Sequence, residues 1–310
     1  KQQQLLANLQ RGGLTPQTVL PALSAPQWGY RRRAKLAVQR AKDGRLLIGF
    51  RNARSRRIEP ITQCPILTAP LPEVIKLLPN WLAALPQAIR IYEVELVSAD
   101  HSFAIAVEAS RLPSDKELQS ILSGLEDMNF GAVQLWWKTG KQTPFKRLDS
   151  GHDPLTFSIN KDIQLAFEPG QFIQVNSEIN RLMIAQMLEL LPDQSITQAG
   201  TAIDLYCGTG NLSLPLAQRF NNVVGIEGLA ELVKGAKENA RMNGINNVEF
   251  AVADLNQSLS VANVHKGKEP VDLVLLDPPR NGAAQIMPWI AKTKARQIIY
   301  ISCHPATMIR

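Results

Sequence analysis

The chain has 310 residues, 45% of them hydrophobic, and carries 34 Lys/Arg against 27 Asp/Glu for a net charge of +7. That length supports one or two domains with real cores, and no apolar run reaches the roughly 18 residues that a membrane helix requires. Three cysteines, Cys64, Cys207 and Cys303, argue against a disulfide framework.

No secretory leader pattern is recognisable at Lys1, so a soluble cytoplasmic protein is expected. The charge is uneven. Residues 1–60 hold 13 Lys/Arg and 2 Asp/Glu, a net +11, whereas the remaining 250 hold 21 and 25, a net −4. Such a patch is either an electrostatic footprint for a polyanion, most often nucleic acid, or a solubilising surface.

Lys1 to Leu9 reads as a helix that Gly12-Gly13 stops, and the stretch to Trp28 is irregular. Ala34, Leu36 and Val38 alternate with Arg33, Lys35 and Ala37, the period of a half-buried strand. Lys42-Asp43-Gly44 is a hairpin turn signal, and Leu46 to Phe50 is the return strand. This ribbon is expected to have one apolar and one strongly cationic face. Arg31, Arg32 and Arg33 flank one end, and Arg51, Arg54, Arg56 and Arg57 the other. Trp28 and Tyr30 either stack on unpaired bases or cap the small core. Cys64 follows, beside Pro65.

A helix is expected over Leu71 to Leu78, interrupted at Pro79-Asn80, with a further helical turn from Trp81 to Leu85. Ile89 to Val97 and Phe103 to Ala109 read as strands. Ser114-Asp-Lys-Glu117 is a capping box that opens a helix with Leu118, Ile121, Leu122 and Leu125 on one face. Ala132 to Lys138 is another strand. The expected organisation is a segment over 1–27, an α+β domain over 28–160, mostly antiparallel and offering a binding surface, and an α/β domain over 161–310.

Phe167 to Asn176 reads as a linker-like entry. Ser177 is the expected N-cap of a helix to Leu191 with Ile179, Leu182, Met183, Met187 and Leu190 inward. Strands and helices then alternate: strand 202–206, helix 211–219, strand 223–226, helix 229–242, strand 248–252, strand 271–277, helix 284–294 and strand 297–302. That pattern is a doubly wound sheet of parallel strands, Rossmann-like in class. The last two strands are apolar runs expected to be buried. One ends in Asp277 and the other leads to Cys303, which places a carboxylate and a thiol at one crevice beyond the strand ends.

Asp204-Leu-Tyr206-Cys207-Gly208-Thr209-Gly210-Asn211 ends the first of these strands and opens a helix. Its glycines permit a sharp turn and close approach of a ligand, although Ser213 stands where a dinucleotide fingerprint has its third glycine. Glu227 ends the next strand and suits a ribose diol. Asp254 ends the third and could meet an adenine amino group. No Walker lysine or phosphate clamp accompanies them, which favours S-adenosylmethionine over ATP or NAD.

Four motifs in order, Phe172-x-Gln174-x-Asn176, Asp204 to Asn211, Asp277-Pro-Pro-Arg280 and Ser302-Cys303-x-Pro305, resemble the RNA uracil-C5 methyltransferases that form 5-methyluridine. The resemblance extends to Trp28-Gly-Tyr-Arg-Arg-Arg33 and Gln63-Cys64-Pro65, and so to nearly the whole chain. It implies a class I S-adenosylmethionine-dependent methyltransferase domain preceded by an RNA-binding domain. It also implies a catalytic cysteine at Cys303 and cofactor and active-site positions at Gln174, Tyr206, Asn211, Glu227, Asp254 and Asp277. Cys207 is expected to be structural. Cys64 points to the bacterial branch that carries a 4Fe-4S cluster and modifies 23S rRNA. A cytoplasmic, monomeric RNA-modifying enzyme of rRNA processing is the implied whole.

The sequence departs from the family in places. His304 stands where the family has Asn, the family's general-base Glu would fall beyond Arg310, and the other cluster cysteines and the N-terminal RNA-binding barrel are not among these residues. The expectation is therefore a truncated chain whose turnover depends on the missing parts, with Cys64 alone unable to hold a cluster. Arg280 is expected to form a salt bridge or to neutralise RNA. The rival readings are a tRNA uracil-5-methyltransferase, an amino-methyltransferase using Asp277-Pro-Pro, and a noncatalytic RNA-binding protein with a degenerate methyltransferase fold.

Overall fold

A computed structural model describes residues 2–128, 130–192, 200–257, 261 and 271–308. The chain folds as two compact units. A mixed-sheet unit takes 25–158 and 166–180, and a parallel-sheet unit takes 1–24, 159–165 and 181–310. Helix α1 (Gln2–Arg11) opens the chain and buries none of its residues.

The mixed sheet has seven strands: β1 (Arg33–Arg40), β2 (Leu46–Arg51), β3 (Ile58–Pro60), β4 (Ile91–Ser98), β5 (Phe103–Ala109), β6 (Val133–Lys138) and β7 (Lys146–Arg147). Their order is β3-β2-β1-β4-β5-β6-β7. β1 and β2 form the expected hairpin, with Gly44 at φ 85° in its turn. Only β5 and β6 pair in parallel, and helix α3 (Asp115–Glu126) supplies the crossover between them. Glu117 closes the capping box by accepting the Ser114 backbone N–H at 2.8 Å. Leu36, Val94, Leu96, Ile105 and Trp137 pack the sheet against helix α2 (Leu71–Ala84) and α3. Each such side chain, fully buried, contributes about 1.5–3 kcal/mol.

Helix α2 corrects one expectation. It runs unbroken through Pro79. Leu78, Trp81 and Leu82 on both sides of the proline are buried in the same core, and that burial outweighs one missing backbone hydrogen bond. The cationic face of the β1–β2 ribbon is a second correction. The register sets Lys35 opposite Glu95. Glu95, 1% exposed, holds Arg33 at 2.8 Å and Lys35 at 3.2 Å. The buried Arg32 guanidinium lies over the Phe157 ring at 4.7 Å and 3.8 Å from Asp100. The arginine triplet is thus largely neutralised within the fold. Cations without a carboxylate partner cluster at the end of β2 and in the loop after it: Arg51, Arg54, Arg56 and Arg57 are exposed and have none among the described residues. Trp28, 65% exposed, does not cap the core.

The stretch expected to be a linker is bonded to the mixed sheet. Gly170 N–H donates to Glu95 at 3.1 Å, Arg33 donates to the Gln171 carbonyl, and Arg32 N–H donates to the Val175 carbonyl at 3.0 Å. A two-stranded ribbon, β8 (Leu155–Ser158) and β9 (Gln164–Phe167), precedes it. Helix α4 (Ser177–Glu189) follows, and its N-cap is Asn176 rather than Ser177. The Asn176 side-chain oxygen accepts the Ile179 N–H at 3.0 Å. The inward positions of α4 are Asn180, Ile184 and Met187, and Leu190 is exposed.

The parallel sheet contains β10 (Thr201–Leu205), β11 (Asn222–Glu227), β12 (Val248–Val252), β13 (Leu273–Leu276) and β14 (Gln297–Tyr300), in the order β12-β11-β10-β13-β14. All four pairings are parallel. Helices α5 (Ser213–Ala217), α6 (Ala230–Met242), α7 (Met287–Thr293) and α8 (Pro305–Met308) accompany them. The strand order reverses between β10 and β13, a topological switch point at which open α/β sheets bind ligands. β13 is buried throughout, as expected. β14 is the sheet edge with Ile298 47% exposed, so the second apolar run is only half covered. No described helix is long and apolar enough to cross a membrane.

Candidate active site

The turns that leave the five parallel strands all lie on the strand-end side of the sheet, with those of β10 and β13 flanking the switch point. Tyr206 leaves β10 with φ 64°, a conformation that costs a non-glycine residue about 1–2 kcal/mol. Two hydrogen bonds hold the turn: Tyr206 N–H and Cys207 N–H both donate to the Ile226 carbonyl, at 2.9 and 3.2 Å. Gly208 and Gly210 follow at φ 56° and 96°. A Cβ built on Gly208 would meet nothing within 4 Å, so the loop faces open space there. Glu227 ties the loop to the end of β11. One carboxylate oxygen accepts Gly208 N–H at 3.1 Å, and the other accepts Gly228 N–H at 2.8 Å.

Three residues beneath this loop were not singled out from sequence as site residues. Asp204 is buried in β10 and accepts a hydrogen bond from Ser213 Oγ at 2.6 Å, while its other carboxylate oxygen has no partner among the described residues. Burial, followed by the charges of Asp277 and Glu227, pushes its carboxyl up to about 7 despite the Ser213 bond. Ser213, read from sequence as a departure from a glycine fingerprint, is therefore the group that satisfies Asp204. Asn239, buried in α6, donates from Nδ2 to the Thr209 carbonyl at 3.0 Å and so fixes the loop from the helix side. The available signal was an amide on the inner face of α6, in step with Val233, Ala236 and Ala240.

Burial pushes the Cys207 thiol well above the ordinary cysteine value. Its sulfur lies close against Gly225, where an added Cβ would stand 3.1 Å from it. Cys207 is a packing residue, as expected.

Asp254 lies exposed just past β12. Its carboxylate accepts Asn256 N–H at 2.9 Å and the Gln257 amide at 2.7 Å, which hold it below the usual carboxylate range. Asp277 follows β13, where burial pushes its carboxyl up to about 6. Asn211 is half-buried at the start of α5. Cys303 is exposed three residues past the end of β14, and Ser302 Oγ accepts the His304 N–H beside it. Adjacent strands carry Asp277 and Cys303, since Leu276 pairs with Tyr300 and Ile301 N–H donates to the Leu276 carbonyl at 2.9 Å. Burial first, then the neighbouring Tyr300, Glu227 and Asp254, pushes the Tyr206 hydroxyl above the ordinary tyrosine value, and burial does the same to Tyr300. Tyr300 was also missed, because in sequence it reads as one more apolar strand position.

Tyr206, Asn211, Glu227, Asp254, Asp277 and Cys303 thus share the strand-end side of one sheet, whereas Gln174 belongs to the mixed-sheet unit. Arg280 is exposed and has no carboxylate partner among the described residues, so the expected salt bridge is not formed there. Cys64 is half-buried against the mixed-sheet core. A four-iron cluster takes four ligands, usually thiolates, and no group of three or more His, Cys, Asp or Glu among the described residues could hold a metal ion. These residues do not fit an iron–sulfur cluster.

A parallel sheet of this order, with an opened glycine loop and acids ending successive strands, is the class I S-adenosylmethionine-dependent methyltransferase fold. The structure is similar to that of the Pyrococcus abyssi tRNA (uracil-54, C5)-methyltransferase in complex with S-adenosyl-L-homocysteine, with a TM-score of 0.73 and 21% identity over 99% of this chain and 73% of that one. Residues 14–310 match the family model described as tRNA (Uracil-5-)-methyltransferase, and the chain belongs to that family. It is 39% identical over 314 residues to the 23S rRNA (uracil(1939)-C(5))-methyltransferase RlmD of Pseudomonas fluorescens, covering 100% of this chain and 67% of that protein. The protein of the same name from Xanthomonas axonopodis pv. citri is 35% identical over 316 residues, covering 100% of this chain and 69% of that protein.

Proposed function

We propose that the protein transfers a methyl group from S-adenosylmethionine to C5 of a uridine in 23S rRNA, through a covalent bond between Cys303 and C6 of the base. The observation that carries this reading is the pairing of Cys303 with Asp277 at the ends of adjacent strands, beside the glycine loop, in a chain of this family. The relatives named for 23S rRNA favour that RNA over tRNA.

Glu227 suits the ribose diol, the open face of Gly208 allows close backbone approach, and Asp254 suits the adenine amino group. Asn211 and Tyr206 complete the proposed cofactor set. When bound, S-adenosylmethionine supplies an electrophilic methyl group. The protein must make C5 of uracil a nucleophile. Addition of the Cys303 thiolate to C6 forms an S–C6 bond and moves the C5=C6 electron pair into an enolate. Once C5 carries the methyl group, loss of the C5 proton to a base and expulsion of the thiolate restore the ring. Asp277, with its carboxyl near 6, is a hydrogen-bonding and orienting group in this scheme. The exposed Arg280 offers a charge for the enolate or the RNA backbone. The target base must first leave its stack, at a cost of about a few kcal/mol.

RNA containing 5-fluorouridine tests the reading, because fluorine at C5 blocks the final elimination. The protein, incubated with fluorinated 23S rRNA and S-adenosylmethionine, should form a denaturation-resistant adduct that maps to Cys303. Methyl transfer that survives in Cys303→Ala would overturn the covalent mechanism.

A further inference from the structure

The mixed-sheet unit contains a cleft of about 470 Å³ at the far end of the β1–β4 pair, where α2 stops short of covering the sheet. Its floor is apolar, made by Val38, Leu82, Leu85 and Ile89. Its rim is Gln39, Arg40, Gln87, Arg90 and Tyr92, and no acidic residue among the described residues lines it. The register of β1 against β4 ends at Ala37 opposite Glu93. A β-bulge in β4 between Ile91 and Glu93 breaks the alternation beyond that pair, and Arg40 and Arg90 both line the cleft past it. Among the described residues neither guanidinium has a carboxylate partner. The main chain at Arg90 is nevertheless fixed, because its N–H donates to Ser110 Oγ at 3.0 Å and its carbonyl accepts Ser110 N–H at 2.8 Å. Arg40 is anchored by donating to the Gly44 carbonyl at 3.0 Å. Two cations lining a cleft with an apolar floor, beside an aromatic ring that is 40% exposed, are complementary to an anion joined to a flat apolar body.

We infer that this cleft is a second, noncatalytic nucleotide site that receives one unpaired nucleotide of the RNA. Its phosphate lies between Arg40 and Arg90, its base lies on Tyr92 and Leu85, and the two glutamines meet the base edge. The inference rests on the reading that the substrate is RNA.

The test measures binding of fluorescently labelled single-stranded RNA and of transcribed 23S rRNA across a salt series. Wild type is compared with Arg40→Ala/Arg90→Ala, Arg40→Lys/Arg90→Lys and Tyr92→Ala, each checked for an unchanged melting temperature. The double alanine variant should bind about tenfold more weakly, with a log–log salt slope smaller by about 1. Tyr92→Ala should weaken binding about fivefold or more with the slope unchanged, and the lysine pair should restore the slope. KM for RNA should rise in the alanine variants while kcat at saturating RNA stays at the wild-type value. RNA binding by the alanine variants equal to wild type overturns the site. Binding of free uridine 5′-monophosphate that depends on Arg40 and Arg90, with RNA affinity unaffected by either substitution, overturns the assignment to RNA. Wild-type protein that binds neither RNA overturns the RNA reading itself, a failure distinguishable from the other two.

Discussion

Replacing Asp204 by Asn isolates the contribution of one buried carboxyl to the pH dependence of folding. The wild-type group has an ordinary value of 3.8 and is raised to about 7 in the folded protein. Between these values the folded chain holds a proton that the unfolded chain has released, so stability falls as pH rises and levels off above about 7. From pH 5 to pH 7 the slope is about 1.36 kcal/mol per unit, which amounts to roughly 2.7 kcal/mol between pH 5 and pH 8. Asn cannot ionise, so the variant lacks this slope. The oxygen of the introduced amide can still accept the Ser213 hydroxyl, but its NH₂ has no built acceptor at the position of the unpartnered carboxylate oxygen, at a cost of about 1–3 kcal/mol at every pH. Because the wild-type group has already lost about 1.7 kcal/mol by pH 5 and about 4.3 kcal/mol by pH 8, the variant should be within about 1 kcal/mol of wild type at pH 5 and about 1–3 kcal/mol more stable at pH 8. Asp277 titrates with the same sign but is present in both proteins and largely cancels in the difference. Urea denaturation at pH 5, 6, 7 and 8, followed by far-UV circular dichroism, gives the difference directly. Parallel pH profiles for the two proteins would refute the assignment of a raised, proton-holding carboxyl to Asp204.

Asn239→Ala removes the donor to the Thr209 carbonyl, leaving a buried acceptor unsatisfied at about 1–3 kcal/mol. S-adenosylmethionine affinity, measured by titration calorimetry, should fall about fivefold or more, and an unchanged affinity would mean that the loop holds itself. Glu95→Gln leaves the largely buried Arg33 uncompensated and should lose about 3 kcal/mol in denaturant titration. It should also raise amide exchange across 168–176, because Gly170 donates to the same carboxylate; a loss below about 1 kcal/mol would show that the cluster is replaceable. Arg54→Ala/Arg56→Ala/Arg57→Ala removes three exposed cations that have no described carboxylate partner, and should weaken RNA binding mainly by lowering its salt slope. Equal slopes in triple variant and wild type would remove this loop from the RNA interface.

The parallel sheet was legible because its signals are local. Short β-branched runs, each ending in a turn with an acid or glycine, specify strand, turn and helix without reference to distant residues, and β10 to β13 fall within about two residues of the expected bounds. The strand-end acids were legible for the same reason, since parallel connectivity puts every strand's carboxyl end on one side. Pro79 was misread because a local penalty was weighed without the core that overrides it. The hydrophobic faces on both sides of Pro79 belong to one helix, and that fact is tertiary. The edge position of β14 was likewise invisible in a run that reads Ile-Ile-Tyr, because exposure follows from the order of strands in the sheet and not from the run itself.

Charge was the least legible property. The +11 of the first sixty residues is a correct sum but a poor map, because net charge ignores which carboxylates return from elsewhere in the chain. Glu95 and Asp100, at and just beyond the strand paired with β1, pair with Arg32, Arg33 and Lys35, in the part of the chain read from sequence as one end of a cationic ribbon. The same strand pair frees other cations: where β1 and β4 run on past their last paired residues, Arg40 and Arg90 have no acidic neighbour among the described residues that line the cleft. A strand ladder therefore sorts the basic residues into those spent on the fold and those left for a ligand. Alternation along β1 supplies the face of each residue, but only its register against β4 supplies the partner.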